Sequence, residues 1–351
     1  MRRVAFDKIA SVTMNCRLSR QSYVGAEIPA VEGGVVVVRI LTSKNTYDQL
    51  ELPSGRLSRL KPGDVVAGAL GHRKALFGYA GRLPESVRPG DTLHVLNTGG
   101  VLGICEGVHP DLGPPFECEV LGQVLDFPHL GERVGRPAHI AQGALPAVDR
   151  LDLSGIPVVA VVGSCMNAGK TQAACALIQS FARRGFRVAA GKATGISLRR
   201  DILSMEDAGA AKTLIFTDLG VVTTTPEVSS GVARTLLGHL AAGRPDVIVL
   251  ELGDGLLGLY GVDAILDDPE LRSSFGAVVL AANDPVAAWG GVRLLRERHD
   301  VPTTVVTGPA TDNAAGTKLI EQSSSVPAVN ARRDPDALSE IVVAATELAH
   351  V

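Results

Sequence analysis

Lys170 and Thr171 lie in the stretch VVAVVGSCMNAGKTQAA (158–174), where a glycine followed by Gly-Lys-Thr is the pattern that cradles phosphate. Five residues separate Gly163 from Gly169, one more than the usual four. A lysine at this place reaches outer phosphate oxygens, and a threonine hydroxyl can ligate magnesium. The backbone N–H groups of such a loop, backed by a helix N-terminus, point at the anion. The expected phosphate contacts are Gly163, Asn167, Ala168, Gly169, Lys170, Thr171 and Gln172. Two more charged residues end apolar runs: Lys192 in FRVAAGKATG and Glu251 in DVIVLELGDG. A carboxylate there is costly to bury unless paired or metal-bound. Glu251 is therefore the expected magnesium ligand beside Thr171, with Asp254 as the substitute. Lys170 and Lys192 are the candidate catalytic cations, because phosphoryl transfer needs charge neutralised on the moving group.

Other groups are open to two readings. Asp201, Glu206 and Asp207 lie in RRDILSMEDAGA, and one of them, Asp201 first, could complete the metal shell; Asp201 could equally cap a helix. Asp218, after TLIFT, could face a substrate or form an Asx turn. Cys165 sits inside the loop with no histidine near it in sequence, which favours a small filler over a nucleophile. Asn283-Asp284 could cap the helix that follows. The eight histidines show no metal-site spacing, and Trp289 reads as a packing residue.

Positioning these groups requires a strand before Gly163, a helix from about Lys170, and further strands ending at Lys192 and Glu251. From Ile156 onward the chain supplies them: apolar runs such as IPVVAVV, FRVAAGK, DVIVLEL and GAVVLAA alternate with helical segments. That alternation predicts a three-layer α/β/α domain over 148–351 with a mostly parallel sheet of about seven strands. Residues 1–147 read differently. GGVVVVRILT, GDVVAGALG and DTLHVLN are short strand-like runs, and KPGDVV (61–66) recurs as RPGDTL (88–93). They predict a smaller β-rich, barrel-like domain. HPDLGPPFECEVLGQVLDFPHLGERVGRPAH, rich in Gly and Pro, reads as a linker or wrap.

Composition narrows the partners. With 351 residues, 46% hydrophobic and 20% charged, the chain can bury a large core, and its net charge of -3 gives no reason for a nucleic-acid partner. Five scattered cysteines lack disulfide or zinc spacing. The N-terminal MRRVAFDKIASVTMN lacks a signal peptide's apolar run, and no run is long enough to span a bilayer. A cytoplasmic protein with no membrane or nucleic-acid partner is the expectation.

The loop spacing resembles the dethiobiotin synthetase branch of P-loop enzymes, whose loop reads Gly-Thr-Asp-Thr-x-Val-Gly-Lys-Thr. RVAAGKATG and DVIVLELGDG are similar to that branch's second strand and to its strand ending in Glu-Gly-x-Gly-Gly. The similarity covers residues 156–335. This chain departs from it in Ser164-Cys165-Met166-Asn167, which lacks the acidic residue, and in Leu252, which replaces a glycine. RRDILSMEDAGA also looks like a segment of a second family, some members of which acylate D-amino acids. The first resemblance implies ATP and magnesium, Lys192 on phosphate and substrate, Glu251 and Asp201 on the metal, and Asn313 and Asn330 near adenine. It also implies a homodimer. The missing Asn-Lys-x-Asp guanine signature agrees with ATP. The reaction implied is phosphorylation of a small-molecule carboxylate or carbamate followed by amine attack, as in a ligase, cyclo-ligase or carboxylase. Two rivals are a nucleotide-hydrolysing accessory protein that delivers a cofactor or metal, and an acyltransferase that holds coenzyme A in the loop.

Overall fold

The computed structural model describes residues 1–129, 131 and 133–348. They divide into two compact units. The first comprises Met1–Leu145 with Ile196–Arg199 and Thr217–Thr223; the second comprises Pro146–Gly195, Arg200–Phe216 and the rest of the chain from Thr224.

The first unit is built on a closed ring of strands. Val35–Ile40 pairs antiparallel with Val65–Leu70 and with Glu117–Asp126. Val65–Leu70 runs parallel to Val101–Val108, which pairs with Thr92–Val95, and this last strand pairs back onto Glu117–Asp126. Closure removes the unpaired edges that a small open sheet would expose. The two repeated turns have one geometry. Gly63 and Gly90 take φ of 91° and 94°, and the carboxylates of Asp64 and Asp91 each accept from a backbone N–H three residues earlier, at 2.7 Å. Each turn thus feeds a barrel strand by the same Asx lock.

The stretch expected as a linker is corrected here. Its centre, Glu117–Asp126, is the longest strand of the unit; it alternates at its start, is buried from Val120 to Val124, and emerges again at Asp126. Gly122, at φ 146° beside a register shift, lets this strand bend where a Cβ would stand 2.4 Å from the Gly25 carbonyl oxygen. Pro and Gly content obscured an alternating core.

The second unit is a three-layer α/β/α domain. Its strands are β1 (Val158–Gly163), β2 (Val188–Thr194), β3 (Lys212–Ile215), β4 (Val247–Leu252), β5 (Phe275–Ala281) and β6 (Val305–Thr307). They form a sheet in the order β3-β2-β4-β1-β5-β6, with every pairing parallel. The sheet thus has six strands where about seven were expected, and VPAVN (326–330) adds a single parallel bridge, Val306 to Ala328. Between the strands run α1 (Lys170–Arg183), α2 (Arg200–Asp207), α3 (Pro226–Ala241), α4 (Val262–Asp267), α5 (Pro269–Ser274), α6 (Pro285–His299), α7 (Ala314–Ser324) and α8 (Pro335–Thr346).

One face of the sheet carries Val159, Val161, Val188, Ala190, Val247 and Val249 beneath Ala173, Ala174, Leu177 and Phe181 of α1 and Leu338 and Val342 of α8. The helix spacing of these α1 positions is what forms a buried stripe. On the other face, Leu240 of α3 approaches Gly191, and Leu280 packs against Gly291 of α6. Strands covered on both sides explain why β1 and β4 are apolar at nearly every position. Trp289, expected in packing, is 42% exposed on α6, with the Arg293 guanidinium 5.2 Å from its ring. Among the described residues no helix is long and apolar enough to cross a membrane.

Candidate functional site

The buried alternation on the α1 face sets the site. Val188, Ala190 and Lys192 share that face on β2, as do Val247, Val249 and Glu251 on β4. Parallel register then pairs Lys192 with Glu251 and Glu251 with Val161. The apolar stripe ends at the strands' carboxyl edge in one lysine and one glutamate, directly under the N-terminus of α1.

The loop from Gly163 to Lys170 turns sharply onto that helix. Gly169, at φ 95°, and Asn167, at φ 60°, take left-handed backbone that only glycine adopts freely and asparagine tolerates. Gly163 is needed for a different reason: a Cβ there would stand 2.8 Å from the Lys170 Cγ and Cδ. The Lys170 side chain therefore folds back along bare backbone. It is 6% exposed, and its ammonium donates to the carbonyls of Cys165, at 2.8 Å, and Asp254. Burial lowers its pKa against the opposing pull of Glu251. Asp254 itself holds φ 72°, which turns its carbonyl toward this lysine.

Thr171 Oγ1 donates to Glu251 Oε1 at 3.2 Å. Lys192 Nζ pairs with Asp201 and lies 3.7 Å from Glu251 Oε1. Burial opposes the charge on Lys192, yet Asp201 and Glu251 outweigh it and raise the ammonium above its usual range. Burial would likewise raise Asp201, but Lys192 holds it down. Glu251 is raised, because it is buried and its attraction to Lys192 is partly offset by Asp201. Its Oε2 is buried without a hydrogen-bond partner.

That orphaned oxygen is an acceptor directed into a site already lined by a threonine hydroxyl and a second carboxylate. It fits a hard cation such as magnesium, which needs only one or two ligands from protein. Among the described residues, no three of His, Cys, Asp and Glu cluster as a metal site, so such an ion would take Thr171, Glu251 and Asp201 with water and phosphate oxygens.

The remaining candidates are sorted by position. Asp201 is in the first turn of α2, and its carboxylate is turned onto Lys192. Glu206 and Asp207, at the far end of α2, are exposed, and Glu206 accepts from Thr213 at 2.5 Å. Asp218 belongs to the first unit, in a short turn whose carbonyl accepts from Leu145. Ala168 is buried, Gln172 exposed. Asn313 caps α7 through Gly316, at 2.8 Å. Asn330 donates to Thr311 and Asp312 and accepts from the N–H groups of Arg332 and Arg333, tying together the loops after β6 and before α8. Asp284 caps α6 through Ala287, while Asn283 Nδ2 donates to Cys165 Sγ at 2.9 Å. Sequence reasoning missed the Asp254 carbonyl and the Asn283 amide, since neither contact leaves a local signal.

No family model matches the chain, and no curated protein matches it. Among solved structures it is similar to the signal recognition particle receptor FtsY from Elizabethkingia anophelis, at 15% identity over 54% of this chain and 65% of that one, with a TM-score of 0.41. It is similar to a DUF1611 family protein from Anabaena variabilis, at 15% identity over 57% and 62% of the two chains, TM-score 0.37. It is also similar to a nucleotide-binding protein in complex with ADP from Archaeoglobus fulgidus, at 13% identity over 57% and 96%, TM-score 0.36. The chain spans less than two thirds of the FtsY and DUF1611 chains.

Proposed function

We propose that the second unit binds ATP with magnesium and phosphorylates a carboxylate or carbamate of a small molecule, which an amine then attacks. The observation that carries this is the convergence of Lys170, Thr171, Lys192, Asp201 and Glu251 at one sheet edge, with Glu251 Oε2 buried and unpartnered. Ligands of open α/β sheets bind at this edge.

In this scheme a carboxylate oxygen forms a bond to the terminal phosphorus as the bond from that phosphorus to the bridging oxygen breaks, releasing ADP. The amine nitrogen then bonds to the acyl carbon, and phosphate leaves. The loop N–H groups and Lys170 hold the outer phosphates, while Lys192 meets the transferring group and the substrate oxygen. Thr171, Glu251 and Asp201 would hold magnesium, which would supply charge neutralisation for the phosphate oxygens. The adenine would rest against the loops 307–313 and 329–334 that Asn330 braces. Positioning and charge, rather than covalent help from Cys165, carry the reaction.

The test is ADP release on mixing ATP, magnesium and candidate acids, with hydroxylamine present to trap acyl phosphate as hydroxamate. ADP and hydroxamate in equal amounts support the proposal. Slow hydrolysis that only a protein partner stimulates would support the accessory reading instead. Thioester consumption without ATP turnover would support the acyltransferase.

A further inference from the structure

We infer that Lys192 is a resident counter-ion that keeps free divalent metal out of the site of Thr171, Asp201 and Glu251 until a nucleotide brings it, an inference resting on the nucleotide–metal reading above. Lys192 Nζ is ion-paired with Asp201 and stands 3.7 Å from Glu251 Oε1. It thus occupies the space between the two carboxylates that a bridging cation would take. One ammonium does not exhaust the acceptors there: Glu251 Oε1 also receives the Thr171 hydroxyl, and Oε2 has no partner.

Formal charge explains the gating. The ammoniums of Lys170 and Lys192 face the carboxylates of Asp201 and Glu251 and the buried Asp254, and Arg200 Nε lies 3.9 Å from Asp201, so the charges of the site are already close to balanced. A divalent ion entering alone leaves the site with uncompensated positive charge in a low-dielectric setting, which is disfavoured. An ion arriving on a triphosphate carries its own compensation, and it releases Lys192 toward the phosphate. The lysine stem runs close along bare backbone, with no side chain from either neighbouring glycine beside it. A Cβ on Gly253 would stand 2.8 Å from Lys192 Cε, and one on Gly195 would stand 3.6 Å away. A compact ammonium on a flexible four-carbon stem suits such a transfer.

The experiment titrates the nucleotide-free, full-length protein with manganese(II), read by electron paramagnetic resonance as loss of the free-ion signal. Lys192→Met should bind the ion at least ten times more tightly than wild type, and Lys192→Met/Glu251→Gln should return to the wild-type level. No gain in Lys192→Met, or a gain that survives Glu251→Gln, would overturn the inference. Should Lys192→Met prove too unstable for titration, its thermal midpoint becomes the readout. Manganese must raise that midpoint and leave the wild-type value unmoved, as expected for a ligand of the folded state alone; an equal response in both overturns the inference. A parallel titration of wild type with manganese and a non-hydrolysable ATP analogue separates the two readings. Failure to take up the analogue, with the Lys192→Met gain intact, removes the nucleotide reading but keeps the counter-ion. Uptake of the analogue with no gain in Lys192→Met removes the counter-ion alone.

Discussion

Lys192 and Glu251 are register partners on adjacent parallel strands, with Nζ 3.7 Å from Oε1, at the point where both strands leave the sheet. Because register neighbours point to the same face, both side chains leave the sheet on the side that α1 covers.

Replacing Lys170 by Ala should weaken ATP binding about a hundredfold, since charge-assisted contacts are worth about 1.5–3 kcal/mol. The fold should survive, because the ammonium now bonds only backbone carbonyls. Isothermal titration calorimetry and circular dichroism measure the two effects. Unchanged affinity would remove the loop from the proposed mechanism.

Glu251→Gln should abolish magnesium-dependent turnover while costing little stability. The carboxylate is buried with one oxygen unsatisfied, and Lys192 keeps Asp201 as its partner. A thermal midpoint lowered by about 10 °C or more would show instead that Glu251 is chiefly structural.

Acid should act on Asp201 and Glu251 in opposite directions. Lys192 holds Asp201 below its ordinary 3.8 despite burial. Its stabilising contribution is present above the unfolded value and is lost as pH falls through the lower folded one. Burial raises Glu251 above its ordinary 4.5, so its folded form takes up a proton first, and this favours folding as pH falls. Urea midpoints should show Asp201→Asn less stable than wild type by a constant margin from about pH 7 to about pH 5, narrowing below about pH 4. A margin that widened on acidification would contradict the ion pair.

Gly253→Ala should destabilise the second unit by about 1–3 kcal/mol, the usual cost of forced overpacking. Its Cβ would meet the Thr194 carbonyl at 2.3 Å, and backbone cannot move aside as a side chain can. Chemical denaturation gives the value directly. A neutral result would mean the approach of the strand ends is looser than the structure has it.

Thiol reactivity should separate the cysteines. Burial pushes Cys175 up to about 11, with Glu251 and Asp201 adding to it, and burial pushes Cys16 up to about 12. Neither should alkylate readily near neutral pH. Cys165, partly exposed in the loop, should label first and be protected by ATP with magnesium. Labelling followed by peptide mass spectrometry resolves the order, and protection absent from Cys165 would place the nucleotide elsewhere.

The amino-acid sequence by itself determined the glycine-bounded loop from Gly163 to Lys170, the strand before it and the helix after it. Each is a local event: an apolar run, glycines where the backbone must reverse or admit a lysine, and a helical stripe from Lys170 onward. It also marked Lys192 and Glu251, because a charge ending an apolar strand stands out without knowledge of its neighbours. Tertiary structure alone decided the rest. The pairing of Asp201 with Lys192, to the exclusion of Glu206 and Asp207, depends on where α2 starts relative to β2. The barrel closes only because Thr92–Val95 pairs with strands on both sides, and its central strand reads as a linker when its partners are unseen. Residues 196–199 and 217–223 join the first unit although they interrupt the second. Such choices rest on pairings between residues far apart in the chain, and local propensity is blind to those.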